Sequence, residues 1–435
     1  MSKIVDEWVS RLHGKLAPVG EMTHWERLES AFELRRTDLV PVAPELDYWQ
    51  ITHAGYSHPE IYNDVDKTTD ACIRTWADLR TDAIWMYVDI SHQIENFIPA
   101  EKRPQHFIHR GEKDYLLFKP LVKTLDDAIA LYEERAFEKY IGDSRAVTHY
   151  TPHMLQLLEF QEKMDRVVPV IVGIATPSNY AETLVEVQQF VRWTITEPKE
   201  KVRRYLDLAL EERLAALDFY SEFARNNGCE FVCLFGGART WGPRQIAEFG
   251  SADEKFVEKA VKIFPHVFWH ICGHNLPEAL DCLVRWDGLQ AVQYDMPYYS
   301  QKISWPEWFE SVARKFSGRR CAMNAPTTQL ACHGTPAEVE RMVKDFIDAT
   351  VPHTSAVVMP GCEIDSFAPE ENVRAMIRAA RERELRQARE ALTGRDGDVQ
   401  RARQELQRVT AESERLRADL ERLKRIDLEP ERRRR

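Results

Sequence analysis

The chain has 435 residues, of which 44% are apolar, with a formal charge of −11 and eight cysteines. That length can bury a large core in one big domain or two smaller ones, and the acidic balance argues against nucleic acid, which needs a basic face. No run of about 18 apolar residues is present to span a membrane, and eight cysteines in so long a chain are not a disulfide framework.

The opening "MSKIVDEWVSRLHGKLAPVG" mixes charged and apolar residues without the apolar centre of a signal peptide, so a cytoplasmic protein is expected. Eight short apolar runs follow, each leading through polar or turn residues into a helical pattern. In order they are "LVPVAPEL" (39–46), "DAIWMYVD" (82–89), "VVPVIVGIA" (167–175), "EFVCLFGG" (230–237), "HVFWHIC" (266–272), "LQAVQYD" (289–295), "RRCAMNA" (319–325) and "SAVVMPG" (355–361). Amphipathic stretches lie between them. One, "TPAEVERMVKDFIDAT", opens with a Thr cap and a Pro at the first helical position.

Eight strands alternating with helices predict an α/β fold, a (β/α)8 TIM barrel with N-terminal helices. A doubly wound open sheet is the alternative, but no Gly-rich phosphate loop follows the first strand. The gap at 90–166 marks an insertion after strand 2, and its "HFIHRGEKDYLLFKP" reads as a hairpin able to lie over the barrel mouth.

Past residue 380 the composition changes. From 381 onward there are 17 Lys/Arg against 13 Asp/Glu, a local charge of +4, which leaves −11 − 4 = −15 on the first 380 residues. Leu385, Leu392, Val399, Leu406 and Leu420 share one heptad position, and Ala402, Val409, Leu416 and Leu423 the other. "TGRDGD" (393–398) interrupts this coiled-coil register, so one helix ends there and a second runs from about 399 to 425. The expected organisation is a barrel at 1–380, a helical coiled-coil extension at 381–429 and a disordered basic tail at 430–435. The extension reads as a homo-oligomerisation element, with an antiparallel helical pair or a solvated charged helix as the alternatives.

In a strand, residues two apart share a face, so His270 and Cys272 point the same way at the carboxyl end of the fifth run, where barrel enzymes place their chemistry. Alone, a buried histidine beside a buried cysteine is ordinary packing. Cys362, just beyond the eighth run, and Asp295, at the end of the sixth, change the reading. One nitrogen, two thiolates and a carboxylate suit tetrahedral Zn2+. A thiol bound to such an ion loses its proton near neutral pH and stays nucleophilic, able to accept a methyl group. His274, four beyond His270 at the start of the next helix, is a further candidate, as a support for the ligands or a substrate contact.

The aromatic residues near the expected mouth are Trp49, Trp85, Tyr87, Trp241, Tyr294, Tyr298 and Tyr299, with Glu45, Asp47 and Asp89 at the same strand ends. As a group they suit a ligand that is flat or apolar rather than highly charged, stacked on the rings, or a quaternary ammonium held by cation–π attraction. Singly, each is as well explained by packing. His53, His92 and His333 lie on loops after strands and read as surface or packing residues. The glycines of "FGGART" allow close approach of a ligand or a tight turn.

"MTHWERLESAFELRRTDLVPV", "GGARTWGPRQIAEFG", "HICGHN", "GTPAEVERMV" and "PGCEIDSFAPEENVRAMIRAARE" together resemble the uroporphyrinogen decarboxylase superfamily, over about residues 22–385. The zinc-dependent methyltransferases that work with corrinoid proteins are the branch it resembles. Their H-x-C…C pattern implies His270, Cys272 and Cys362 as zinc ligands, and the similar pattern of cobalamin-independent methionine synthases implies Asp295 as the fourth. The resemblance also implies a corrinoid (cobalamin) supplied in trans, on a partner protein or free, since no D-x-H-x-x-G pattern is present to bind one. The decarboxylase itself binds a polycarboxylate with an Arg-rich loop after the first strand. Here "APELDYWQITHAGYSHPEIYNDVD" holds no Arg or Lys and would repel that substrate. The alternative functions are a decarboxylase or lyase of a small acid on the same barrel, and a scaffold whose barrel is a catalytic relic.

Overall fold

A computed structural model describes residues 2–87, 94–105, 107–108, 117–144, 146–237, 241–271, 273–275, 277–297, 302–393, 408–416 and 418. Seven parallel strands form one sheet in chain order: β1 (Ile84–Trp85), β2 (Val170–Ala175), β3 (Phe231–Phe235), β4 (His266–His270), β5 (Ala291–Gln293), β6 (Cys321–Asn324) and β7 (Ala356–Val358). The segment around Val42 closes it. Val42 bridges Val358 in parallel, Val358 N–H donates to Pro41 O at 2.8 Å, and Asp82 N–H donates to Val42 O at 2.7 Å. That segment therefore sits between β7 and the lead into β1, and with it the sheet is the eight-stranded barrel expected from the sequence.

Residue-by-residue alternation sorts the strands into two faces. Ala43, Trp85, Ile171, Phe231, Cys233, Phe268, Ala291, Met323, Val357 and Met359 fill the interior together with Trp25, Leu28 and Phe32. Those last three come from helix His24–Phe32, which a Thr23–Glu26 capping box starts and which plugs the amino end. Trp269, Val292 and Tyr294 face the other way, into the core shared with the surrounding helices. Helix Pro336–Thr350 carries the Thr cap and leading Pro read from the sequence, as a full capping box with Glu338.

The insertion holds the expected hairpin strands, Phe107–Ile108 antiparallel to Leu117–Phe118. It also holds helices Leu125–Glu133 and Thr151–Lys163, the second of which returns the chain to β2. Helix Glu370–Thr393 runs without a break through residue 380, so the extension begins as a continuation of the barrel's last helix. The helical turns at 408–416 carry half-buried Val409 and Leu416, and Arg408 Nη2 donates to Glu21 Oε1 at 2.8 Å. The rest of the extension and the basic tail lie outside the described residues. Among the described residues no helix is long and apolar enough to cross a membrane.

Candidate metal centre

His270 ends β4 and points inward, because Phe268, two before it, belongs to the barrel interior. Cys362 stands four residues past β7, and the two side chains share a hydrogen bond. Thus the structure brings together two of the candidate ligands from distant parts of the chain. Cys272 lies outside the described residues. His270 is buried and Cys362 half-buried, at the carboxyl ends of their strands.

Glu45 completes the surroundings. It is two residues past the inward-facing Ala43 and buried, with Oε2 lying 3.7 Å from His270 Nδ1. Burial alone would lower the His270 imidazole. The Glu45 carboxylate, the Cys362 sulfur and Gln293 outweigh it and lift the group to about 9. An imidazole between a sulfur and a carboxylate is a place that calls for positive charge. A metal ion supplies such charge as a proton does, and an imidazole nitrogen and a thiolate are donor types that zinc takes; of the expected ligands the described residues bring His270 and Cys362 together. Cys233, inward on β3 and fully buried, is held as a neutral thiol: burial pushes it well up, and the nearby Glu45, Asp47 and Cys362 add to the shift. The Phe235 ring stands edge-on to His270 at 5.5 Å. Gly173 makes room for it, since a Cβ there would lie 2.3 Å from Phe235 Cε2.

Asp295 lies two residues past Gln293 on the same inward face of β5 and is buried. Its Oδ2 accepts the Gly273 N–H at 3.0 Å, its own N–H donates to Asn275 Oδ1 at 2.8 Å, and its carbonyl accepts Trp308 Nε1 at 2.9 Å. His274 does not start a helix, contrary to expectation. His274–Asn275 instead pair in parallel with Met296–Pro297, and the helix begins at Pro277. The reason is local: the chain must run alongside the exit of β5 before it turns away, and Gly273 adopts φ +75° to let it.

The aromatic residues divide. Tyr294 is fully buried facing outward, its ring against Trp308 and Phe316, and Trp241 packs on Phe190 and Phe249, so both belong to the helical layer and not to the mouth. Period-two alternation decides this for Tyr294, which sits between the inward Gln293 and Asp295. Trp85 is interior, its Nε1 donating to Ala43 O at 2.9 Å, and Trp49 donates to Ala368 O at 2.8 Å while stacking on His53. Tyr87 packs edge-on to Tyr48. Tyr298, Tyr299, Asp89 and His92 lie outside the described residues, and His333 is exposed at a helix end. Gly236 admits no ligand but a neighbour: a Cβ there would meet the Trp269 indole at 2.3 Å.

Among the described residues one cluster of three metal-ligand side chains lies within 4.8 Å: His53, Asp78 and Glu370. Arg374 donates to both of its carboxylates, and His53 Nε2 is 3.0 Å from Asp78 Oδ2. The cluster already holds its cation and pins helix Glu370–Thr393 against helix Val65–Leu79.

A family model described as uroporphyrinogen decarboxylase (URO-D) matches residues 127–383. No curated protein matches the chain by sequence. Among solved structures, a methyltransferase from Methanosarcina mazei superposes with a TM-score of 0.63 at 19% identity, over 83% of this chain and 99% of that one. At that identity the likeness is one of fold.

Proposed function

Because the chain belongs to the uroporphyrinogen decarboxylase family, we propose that it is a zinc-dependent methyltransferase that exchanges a methyl group between a small methylated substrate and a corrinoid carried by another protein. The observation that carries this reading is the hydrogen-bonded pair His270 and Cys362 at two strand ends of the barrel. His270, Cys272 and Cys362 would hold the ion, with Asp295 as the fourth candidate. Zinc, when bound, supplies Lewis acidity that stabilises a thiolate, phenolate or alkoxide as nucleophile or leaving group.

The chain's own residues do the rest. Phe235 and the buried walls around His270 keep water from the reacting heteroatom. Glu45 and Asp47, both buried, give the mouth negative charge, which favours a neutral or cationic methylated substrate, such as a methoxylated aromatic, amine or thiol, over a polycarboxylate. In the opposite direction, from methyl-corrinoid to an acceptor, a thiol or a tetrahydrofolate would take the methyl group. The C-terminal helices, with their heptad seam, are proposed to join two copies. The barrel at 1–380 and the extension at 381–429 are then separate functional units in one cytoplasmic enzyme.

Two measurements test the reading. Elemental analysis of the purified chain should give about one zinc, lost in Cys362→Ala. Adding methoxylated aromatics, quaternary amines or methylthiols to the zinc-loaded protein with cob(I)alamin should then convert the cobalt spectrum to that of methylcobalamin. A wild-type protein that takes up no zinc, or a Cys362→Ala variant that keeps it, ends the proposal.

A further inference from the structure

Gln293 is wholly buried, and its Nε2 donates twice: to Glu45 Oε2 at 2.8 Å and to the Pro360 carbonyl at 2.7 Å. Glu45 comes from the segment that closes the barrel, Gln293 from the end of β5, and Pro360 from the exit of β7, two residues before Cys362. One amide therefore ties three strand ends together. The oxygen it holds is the one 3.7 Å from His270 Nδ1. In register, Gln293 is the partner of His270 across the β4–β5 ladder, so the two side chains start from adjacent positions on the inner face.

A histidine that binds a metal through one ring nitrogen needs an acceptor for the N–H of the other, and that acceptor fixes the tautomer and the ring plane. Glu45 is the carboxylate placed to be that acceptor. It is itself long and would swing between rotamers unless something held it, and the buried Gln293 amide does so. The second donation of the same amide, to Pro360, sets where the Cys362 backbone leaves the barrel. Gln293 also acts on the His270 imidazole itself, so one side chain that bonds the imidazole, Glu45 and the Pro360 carbonyl fixes the separation of His270 from the Cys362 sulfur.

We propose that Glu45 and Gln293 are the positioning pair of this site, Glu45 orienting His270 through Nδ1 and Gln293 holding both Glu45 and the Cys362 segment in place. This inference rests on the zinc reading above. It assigns to the two residues a role in metal affinity and ligand geometry rather than in the chemical step.

The test uses the full chain, stripped of metal and reloaded. Zinc affinity is measured by competition with a chromophoric chelator, and the cobalt(II)-substituted protein reports ligand geometry through its visible absorption. Glu45→Gln keeps the shape of the side chain and should weaken zinc about 10–100-fold and displace the cobalt bands. Gln293→Leu should do the same through loss of both tethers, and serves alone if Glu45→Gln does not fold. A merely structural role would lower the melting temperature of the metal-free protein and leave the cobalt bands of the folded fraction in place. Wild-type zinc binding with variants within threefold of it and unshifted bands overturns the inference while leaving the zinc reading intact. A wild type that binds no zinc overturns both.

Discussion

Gly361 lies directly against Asp295: a Cβ at position 361 would stand 2.3 Å from Asp295 Oδ1 and 2.9 Å from its Cα. Asp295 in turn accepts the Gly273 N–H. One carboxylate thus braces the residue after Cys272 and the residue before Cys362.

Gly361→Ala is expected to push Asp295 off this bridge. The clash includes backbone as well as side-chain atoms, so relaxation is partial and the cost is about 1–3 kcal/mol. Denaturant titration measures that loss, and zinc retention should fall in the same variant because Cys362 is the next residue. A midpoint equal to wild type with unchanged zinc would mean that Asp295 moves aside freely.

Trp85→Phe separates a packing role from a substrate contact. Trp85 fills the barrel interior edge-on to Phe268, with Nε1 donating to Ala43 O. Removing the indole N–H and part of the ring should cost about 2–3 kcal/mol of stability. KM for the methylated substrate should not move. A raised KM at unchanged stability would return Trp85 to the binding surface.

At the amino end, Arg27 is the buried cation between two carboxylates. Its Nε donates to Asp38 Oδ1 at 2.7 Å and its Nη1 to Asp82 Oδ1 at 2.5 Å, and Asp82 Oδ2 also accepts the Val42 N–H at 2.8 Å. Arg27→Met leaves Asp82 charged and buried without its cation, which should cost about 3–5 kcal/mol. Because Val42 belongs to the closing segment, the loss should appear as global unfolding in a chemical melt. A variant within 1 kcal/mol of wild type (about the size of a surface ion pair) would show that the closure does not depend on this pair.

His24 gives that network a pH dependence. Burial lowers its imidazole from the usual range to about 4, against the opposing pull of its Asp82 hydrogen bond. The unfolded chain therefore binds a proton between pH 6.5 and 4 that the folded chain refuses. The His24 contribution to stability is complete above about pH 6.5 and is lost as the pH falls, by up to about 3 kcal/mol near pH 4. His24→Asn should flatten the pH profile of the unfolding free energy by about one proton over that window. His266, also lowered by burial, is common to both proteins and cancels in the comparison. Parallel profiles would refute the assignment.

Much of this was legible in the chain itself. All seven strands of the barrel sheet fall within the apolar runs, and the capped helix at 336–350 begins where Thr335 and Pro336 predict. Local rules suffice there, since period, turn residues and caps act over a few residues. The period-two rule that puts His270 and Cys272 on one face also puts Gln293 two before Asp295 on the inner face. Nothing in the sequence marks Gln293 out, because an uncharged amide is not among the usual metal ligands. Tyr294, near the same strand end, faces outward because it alternates with Gln293 and Asp295.

The sequence by itself determined the barrel, its order of strands and the residue types capable of holding a soft metal, because hydrophobic periodicity and donor chemistry are properties of short segments. Only the tertiary structure decided that Cys362 meets His270, that Glu45 and Gln293 stand beside them, and that Trp241 and Tyr294 turn away. Those relationships depend on how eight strand ends close around one axis, and strand tilt, register and the packing of the ring fix them rather than any local pattern.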